Sequence, residues 1–154
     1  MRVLQGSDLE EAVRWMALAV ETGKDSPCQR DKRGVVIVRD GVLVGKNVNA
    51  PPAGFVCVPK YCEPTCRTYA VHAEMNAIAS AMQRWQSVSG ATMYHARVEN
   101  GLLQDSREPR CPDCSKHVIA FGIKEFVLKH AQGYVAYSAQ ELNELSLQNR
   151  PMGK

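Results

Sequence analysis

The sequence lacks the features that would place it in a membrane, in a secretory route or among repetitive proteins. No apolar stretch is long enough to cross a bilayer, and the first residues break into charged positions before an apolar signal core can form. There is no Gly/Ser-rich linker, low-complexity tract or internal repeat. We therefore expect the 154 residues, 1–154, to form a single domain in a reducing cytoplasm, or in the host cytoplasm if a virus encodes the chain.

Aromatic residues and net charge are also scarce. Aromatics make up 6% of the sequence, and the formal net charge is only +3. A nucleic-acid partner is not expected, because such a partner calls for a basic surface with aromatic side chains. The weak positive charge is compatible with an anionic small molecule as substrate. In a reducing compartment, the six cysteines are more readily explained as metal ligands or free thiols than as disulfides.

What the sequence does contain is an alternation of helical and extended patterns. Helical periodicity predicts three helices, at 8–22, 71–85 and 111–121. Short β-branched or apolar runs predict four strands, at 34–38, 42–44, 91–96 and 124–128. The segment 47–69 has no period and predicts a long, functional loop. Strands separated by helices predict a three-layer α/β/α fold around a mixed sheet.

Turn and cap residues refine these boundaries. Asp40-Gly41 predicts a tight turn that joins the first two strands into a hairpin. Ser7 with Glu10 and Ser138 with Glu141 each have capping-box spacing. We therefore expect the first helix and a further, C-terminal helix to begin at these two serines.

Residues suited to chemistry are concentrated in His72-Ala73-Glu74 and Cys111-Pro112-Asp113-Cys114. Both motifs fall at predicted helix starts, where backbone N–H groups and the helix dipole favour thiolate. Two thiolates and one imidazole leave one tetrahedral position of a zinc ion open, which is typical of a catalytic site. Glu74 lies close enough to His72 to carry a proton from the metal's water to the base. Each motif alone has ordinary explanations, such as a surface charge or a redox pair, but the combination indicates a zinc-dependent nucleobase deaminase.

These motifs resemble the deoxycytidylate deaminases of the cytidine deaminase-like superfamily over residues 26–128. The similarity is densest in four segments, at 49–54, 71–78, 111–114 and 120–124. It implies a five-stranded mixed sheet flanked by helices, conversion of dCMP to dUMP and ammonia, and a homo-oligomer, either a hexamer or a smaller assembly. It also implies a substrate contact for Asn49 and a place at the substrate for Ala73. Arg110 stands where the family usually has proline, which alters the expected pocket wall beside the base.

Four further cysteines precede the helix that carries His72: Cys28, Cys57, Cys62 and Cys66. Cys62 and Cys66 are four residues apart, so both thiolates could reach one ion. Some phage-type members of the resembled family carry a second, closed zinc site in these regions, and the resemblance therefore implies a second, structural Zn²⁺. The alternative is that all four are free thiols.

The residues that bind a substrate phosphate are less clearly indicated. A monophosphate favours guanidinium groups, so the arginines near the motifs are candidates, namely Arg30, Arg33, Arg67 and Arg84. Tyr134 and Tyr137 could reach a phosphate or could simply pack. Alternative functions are deamination of cytidine, 5-substituted dCMP, guanine or tRNA adenosine, and a non-catalytic zinc-stabilised interaction module. Glu74 argues against the module, because it has no obvious use as a zinc ligand.

Overall fold

The computed structural model describes residues 1–58 and 69–150. The helices whose bounds lie in this part of the chain are α1 (Gly6–Lys24), α2 (Ala73–Met82), α3 (Pro112–Ala120) and α4 (Ala139–Gln148). The strands are β1 (Arg2–Val3), β2 (Lys32–Arg39), β3 (Val42–Val48), β4 (Thr92–Glu99), β5 (Leu102–Gln104), β6 (Glu125–His130) and β7 (Gly133–Ser138). None of the described helices combines the length and the apolar character needed to cross a bilayer.

The strands form one mixed sheet in the order β1-β7-β6-β4-β2-β3, with β5 paired to β4. The β4–β6 pair is parallel, and the other pairs are antiparallel. The predicted mixed sheet is confirmed, but it has seven strands in the described residues rather than five. Five strands of six to eight residues are extended by β1, which has two residues, and β5, which has three. Runs this short carry no readable alternation.

Helices cover both faces of the sheet, which confirms the three-layer arrangement. On one face, here called the α1 face, Met16 and Ala19 of α1 pack against Tyr94 and Ala96 of β4. The other face, here called the α2 face, is covered by α2, α3 and α4, with Met93 of β4 in its core. Consecutive residues of β4 thus enter different cores, as the two-residue period of a strand requires.

Two glycines let helices approach the sheet at backbone distance. A Cβ on Gly34 of β2 would lie 2.0 Å from the carbonyl oxygen of Ala19 in α1. A Cβ on Gly45 of β3 would lie 2.6 Å from the carbonyl oxygen of Ala77 in α2. Any side chain at either strand position would push its helix away. The position of α2, and of the motif at its start, therefore depends on Gly45.

Two hairpin turns have nearly the same backbone conformation, but only one of them was predicted from the sequence. Asp40 and Gly41 both have positive φ, 51° and 74°, which confirms the predicted tight turn between β2 and β3. Asn100 and Gly101 have nearly the same angles, 52° and 76°, and join β4 to β5. That hairpin was not predicted, although Asn-Gly is a strong hairpin signal.

The helix boundaries include one confirmed cap and two corrections. The Ser138 hydroxyl accepts the N–H of Glu141 at 3.2 Å, and the carboxylate of Glu141 accepts the N–H of Ser138 at 2.9 Å, so this capping box is confirmed. The predicted capping box at Ser7 is wrong, because α1 begins at Gly6, two residues before the predicted start, and Gln5 occupies the N-cap position without a side-chain hydrogen bond. The second helix was predicted to extend to Trp85, but α2 ends at Met82, and Trp85 has a φ of 58°.

Candidate metal centre and active site

Both chemical motifs lie at helix starts, as predicted. His72 is the N-cap residue of α2, and Cys111 is the N-cap residue of α3. Pro112 occupies the first turn of α3, where its missing N–H is tolerated. The Cys111 sulfur accepts the backbone N–H of Cys114 at 3.3 Å. The local fold therefore directs the two helix starts, and their positive dipole ends, towards one place on the α2 face.

Three side chains meet there with their ligand atoms within 4.8 Å of one another. The Nδ1 atom of His72 lies 3.0 Å from the sulfur of Cys114 and 3.5 Å from the sulfur of Cys111. The two sulfurs are 3.0 Å apart. One nitrogen and two sulfurs are ligands that zinc prefers, and three protein ligands leave its fourth position for water or substrate. The donor set therefore fits a catalytic zinc ion.

Electrostatics at the centre favour a deprotonated cysteine. Hydrogen bonds from the Cys114 thiol, from His72 and from the Cys114 N–H lower the pKa of Cys111 to about 5, against the opposing effect of burial. The bond to Cys111 raises the pKa of His72 to about 9. A thiolate is the form of cysteine that binds a metal ion, so the lowered pKa of Cys111 favours metal binding at the centre.

Glu74 lies on the first turn of α2, and its side chain is only 12% exposed. Its Oε1 atom is 3.8 Å from the Nε2 atom of His95, a residue of β4. Burial alone would raise the pKa of Glu74, but His95, His72 and Arg33 outweigh it, and the net pKa is below the usual range. Burial lowers the pKa of His95 to about 4. At neutral pH, Glu74 is therefore the charged member of this pair, a carboxylate ready to accept a proton.

His95 was not among the site residues predicted from the sequence. The available signal was a histidine in a strand whose neighbour on the same face, Met93, is fully buried. A buried polar ring at such a position is uncommon enough to single out.

The predicted loop around Asn49 lies beside His72. Two backbone hydrogen bonds join Ala50 to Val71, at 2.8 and 3.1 Å, directly before His72. The side-chain oxygen of Asn49 accepts the N–H of Arg33 and the hydroxyl of Ser26, both at 2.8 Å, and its amide nitrogen donates to the Asp31 carbonyl at 2.9 Å. These bonds fix the Asn49 side chain and use one of its two amide hydrogens.

The two other predicted substrate residues have different environments. The side chain of Ala73 is buried in the core of the α2 face, with an exposure of 1%, so any contact with a ligand must come from its backbone. Arg110 is exposed and directly precedes the metal-ligand Cys111. The segment before Cys111 is tied to the end of α4 by a hydrogen bond from Asn149 to the carbonyl of Pro109, at 3.1 Å.

The structure describes only part of the proposed second zinc set. Cys28 and Cys57 are half-buried free thiols, and the Cys28 sulfur accepts the N–H of Asp31 at 3.5 Å. Cys62 and Cys66 lie outside the described residues, as does the phosphate candidate Arg67. The second zinc therefore stays a prediction.

The remaining phosphate candidates are spread over the molecule. Arg33 pairs with Asp31 at 2.6 Å, and its charge acts on Glu74. Arg84 donates to Ser80 and to the Val44 carbonyl at the other end of α2 from His72. Arg30 lies in the segment before β2.

The two tyrosines are held by packing and hydrogen bonds. The Tyr137 hydroxyl is buried 2.8 Å from His130, and burial raises its pKa to about 12. Tyr134 packs on the α1 face.

Among the phosphate candidates that the structure describes, Arg33 is the one whose charge acts on the carboxylate of Glu74.

Comparison with known proteins shows the family to which the chain belongs. A model of the cytidine and deoxycytidylate deaminase zinc-binding region matches residues 9–130. The deoxycytidylate deaminase of Mycobacterium phage D29 is 31% identical over 127 residues, covering 73% of this chain and 89% of that protein. The deoxycytidylate deaminase of Enterobacteria phage T2 is 26% identical over 153 residues, covering 73% and 76%.

Solved structures agree. The dCMP deaminase of cyanophage S-TIM5 in complex with dCMP and dUMP superposes with a TM-score of 0.60 at 25% identity, covering 80% of this chain and 82% of that one. A cytidine deaminase from Burkholderia pseudomallei has the same fold, with a TM-score of 0.60 at 20% identity over 84% and 94% of the two chains. The chain therefore belongs to the family of cytidine and deoxycytidylate deaminases that this zinc-binding region defines.

Proposed function

We propose that this protein catalyses the zinc-dependent hydrolytic deamination of dCMP to dUMP and ammonia. The observation that carries the proposal is the cluster of His72, Cys111 and Cys114 beside the buried carboxylate of Glu74. Three ligands would hold a metal and leave one position open, and a carboxylate two residues from His72 has no place in a purely structural zinc site. Together they supply what hydrolysis of an amino group on a base requires.

The reaction follows from these residues. His72, Cys111 and Cys114 would hold a zinc ion, which when bound lowers the pKa of water towards neutrality and so supplies a nucleophile. Glu74 takes a proton as the water oxygen bonds to C4 of the cytosine ring, and delivers it to the ring nitrogen N3. Glu74 then moves the second proton from the new hydroxyl to the exocyclic amino group. The C4–N bond breaks, ammonia leaves, and the ring is a uracil.

The choice of dCMP rests on the relatives and on Arg33. The phage relatives carry the name deoxycytidylate deaminase, and one related structure binds dCMP and dUMP. Arg33 pairs with Asp31 at 2.6 Å, its charge acts on Glu74, and its guanidinium is of the kind that binds a phosphate. An Arg33→Gln variant should raise the KM for dCMP more than the KM for deoxycytidine, which has no phosphate. Equal effects on both substrates would remove Arg33 from the phosphate site.

The decisive experiment compares ammonia release from dCMP, dCTP, deoxycytidine, adenosine and guanine by the zinc-loaded protein and by Glu74→Gln. We expect turnover of dCMP, and a fall of about 10²–10⁴ in kcat for the variant, which loses the proton carrier. The variant should keep its zinc, since Glu74 is not a ligand. Turnover of another base alone would retain the zinc mechanism and reject the substrate. Inactivity on the whole panel, with zinc bound, would favour an interaction module.

The proposal includes a second, structural zinc held by Cys28, Cys57, Cys62 and Cys66. Its support is the placement of Cys28 and Cys57 as half-buried free thiols in the segments next to β2 and the Asn49 loop. Metal analysis should find two zinc ions per chain in the native protein and one in Cys57→Ser. Two ions in that variant would reject the site.

We also propose that the chain works as a single deaminase domain, assembled as a homo-oligomer in the cytoplasm. The match of the family model to most of the chain supports one domain. Light scattering of the zinc-loaded protein measures the assembly, and a monomeric mass with full activity would reject the oligomer.

A further inference from the structure

His95 occupies a place that favours an apolar residue. It lies on β4 between β2 and β6, pairs directly with Val35, and faces the α2 core. The residue is 8% exposed, and its ring lies against Phe126 with 5.7 Å between ring centroids. Met93, two positions earlier on the same face, is fully buried. An imidazole buried among such neighbours calls for a reason beyond packing.

The imidazole ring of His95 faces the carboxylate of Glu74. Its Nε2 atom lies 3.8 Å from the Glu74 carboxylate, and within residues 1–58 and 69–150 its Nδ1 atom has no hydrogen-bond partner. This separation is longer than a hydrogen bond, but a carboxylate only accepts hydrogen bonds, so a ring with hydrogen on Nε2 would gain one on a small approach of the two side chains. The opposite tautomer would turn a lone pair towards Glu74 and bury an unpaired N–H at Nδ1. The surroundings therefore select a neutral ring with hydrogen on Nε2.

We propose that His95 is a positioning residue, which holds the Glu74 carboxylate in the orientation needed for proton transfer. This inference rests on the proposed function, in which Glu74 moves the protons. Glu74 has three rotatable side-chain bonds and must serve two acceptors in turn, the ring nitrogen and the leaving amino group. An N–H donated to Oε1 from a central strand would fix one carboxylate oxygen. The other oxygen would then be free to exchange the proton.

The test compares two variants of His95 with a packing control. His95→Phe keeps a buried ring without a donor, and we expect kcat to fall by about 10–100-fold, the usual effect of losing an outer partner of a catalytic group. The KM for dCMP and the zinc content should not change. His95→Gln places an amide N–H near the position of Nε2 and should recover most of the loss. Met93→Ala opens the same core two residues away and should leave the kcat of the folded protein unchanged.

The outcomes separate this inference from the proposed function. Wild-type kcat in His95→Phe would overturn the inference, as would an equal loss in His95→Gln, which would make the effect one of packing. A zinc-loaded wild type that releases no ammonia from any substrate would instead overturn the proposed function.

A spectroscopic measurement on the wild type tests the inference even where the His95 variants fail to fold. In ¹⁵N-histidine-labelled wild type, His95 should be neutral with hydrogen on Nε2, and its signal should shift in Glu74→Gln. A hydrogen on Nδ1 would overturn the inference.

Discussion

The α1 face and the α2 face of the sheet are built from alternate residues of the same strands, but they bury different groups. On β4, Tyr94, Ala96 and Val98 enter the core beneath α1. The residues between them on the other face include His95 and Arg97, and each has a buried nitrogen without a hydrogen-bond partner in the described chain. The α1 face is a packed apolar layer, whereas the α2 face combines a larger apolar core with buried polar groups, of which Arg97 forms an ion pair with Asp31 at 3.4 Å.

This difference indicates how the fold tolerates its active site. A buried polar atom without a partner destabilises a protein by about 1–3 kcal/mol. A layer of apolar side chains can offset that loss, since burying one such side chain contributes about 1.5–3 kcal/mol. We therefore infer that the apolar cores on both faces offset this loss, and that the α2 face, which has the larger of the two cores, also holds Glu74 and the metal ligands.

The strongest test of the comparison removes a metal ligand from the α2 face. In Cys111→Ser, the hydroxyl is a poor zinc ligand, so the catalytic zinc should be lost. Ammonia release should fall to background, a larger effect than the roughly 10²–10⁴-fold expected from losing proton transfer alone. Metal analysis and the ammonia assay measure both, and circular dichroism reports whether the sheet is retained. A variant that kept its zinc and its turnover would exclude this cysteine from the centre.

The matching change on the α1 face is Met16→Ala. Met16 is fully buried, so the variant should lose about 2–5 kcal/mol of unfolding free energy through the cavity it leaves. Zinc content and the kcat of the folded protein should not change, because the cavity lies on the far side of the sheet from Glu74. Urea unfolding and steady-state kinetics measure the two quantities. A large change in kcat without a loss of stability would contradict the separation of the two faces.

Much of the fold could be predicted because the longer elements have clear periods. The helices at 8–22 and 111–121 and the hairpin turn at Asp40-Gly41 are close to their positions in the structure. The failures have local causes. β5 is too short to show a period, and the chain enters α1 before Ser7. β7 pairs along its whole length with β6, a partner that its own residues do not reveal.

The metal ligands could be predicted because their spacing carries the chemistry, and the structure brings His72, Cys111 and Cys114 together. His95 could not be found in this way, because its role depends on the pairing of β4 with β2 and on the position of α2 above them. Spacing within one segment reveals ligands that share a helix start. Contacts between residues on different strands can be predicted only when the order and pairing of the strands are known.

Acid should reveal the buried imidazole of the α2 face. The pKa of His95 is about 4 when folded and near 6.5 when unfolded, so the unfolded chain binds more protons between these values. Stability is therefore complete above pH 6.5 and falls as the pH drops towards 4. From pH 7 to pH 5 the loss should be about 2 kcal/mol.

Urea unfolding of the zinc-loaded wild type and His95→Phe at both pH values isolates the contribution of His95 to the pH dependence of stability. Zinc release affects both proteins, so the difference between them belongs to the imidazole. An equal loss of stability in the two proteins would show that His95 is not buried in its neutral form.

The smallest expected effect comes from removing a polar group of the α2 face that stabilises a helix and takes no part in catalysis. In Ser138→Ala, α4 loses the hydroxyl that accepts the Glu141 N–H, and the free energy of unfolding should fall by about 1 kcal/mol. Ser7→Ala is the matched control, because Ser7 lies inside α1 and not at its N-cap position, and its stability should stay within about 0.5 kcal/mol of wild type. Thermal unfolding measures both variants, and neither should change kcat. If Ser7→Ala lowered the free energy of unfolding more than Ser138→Ala, the hydroxyl of Ser7 would stabilise the start of α1 despite its position inside the helix. If Ser138→Ala lowered kcat, the capping box would be coupled to the active site.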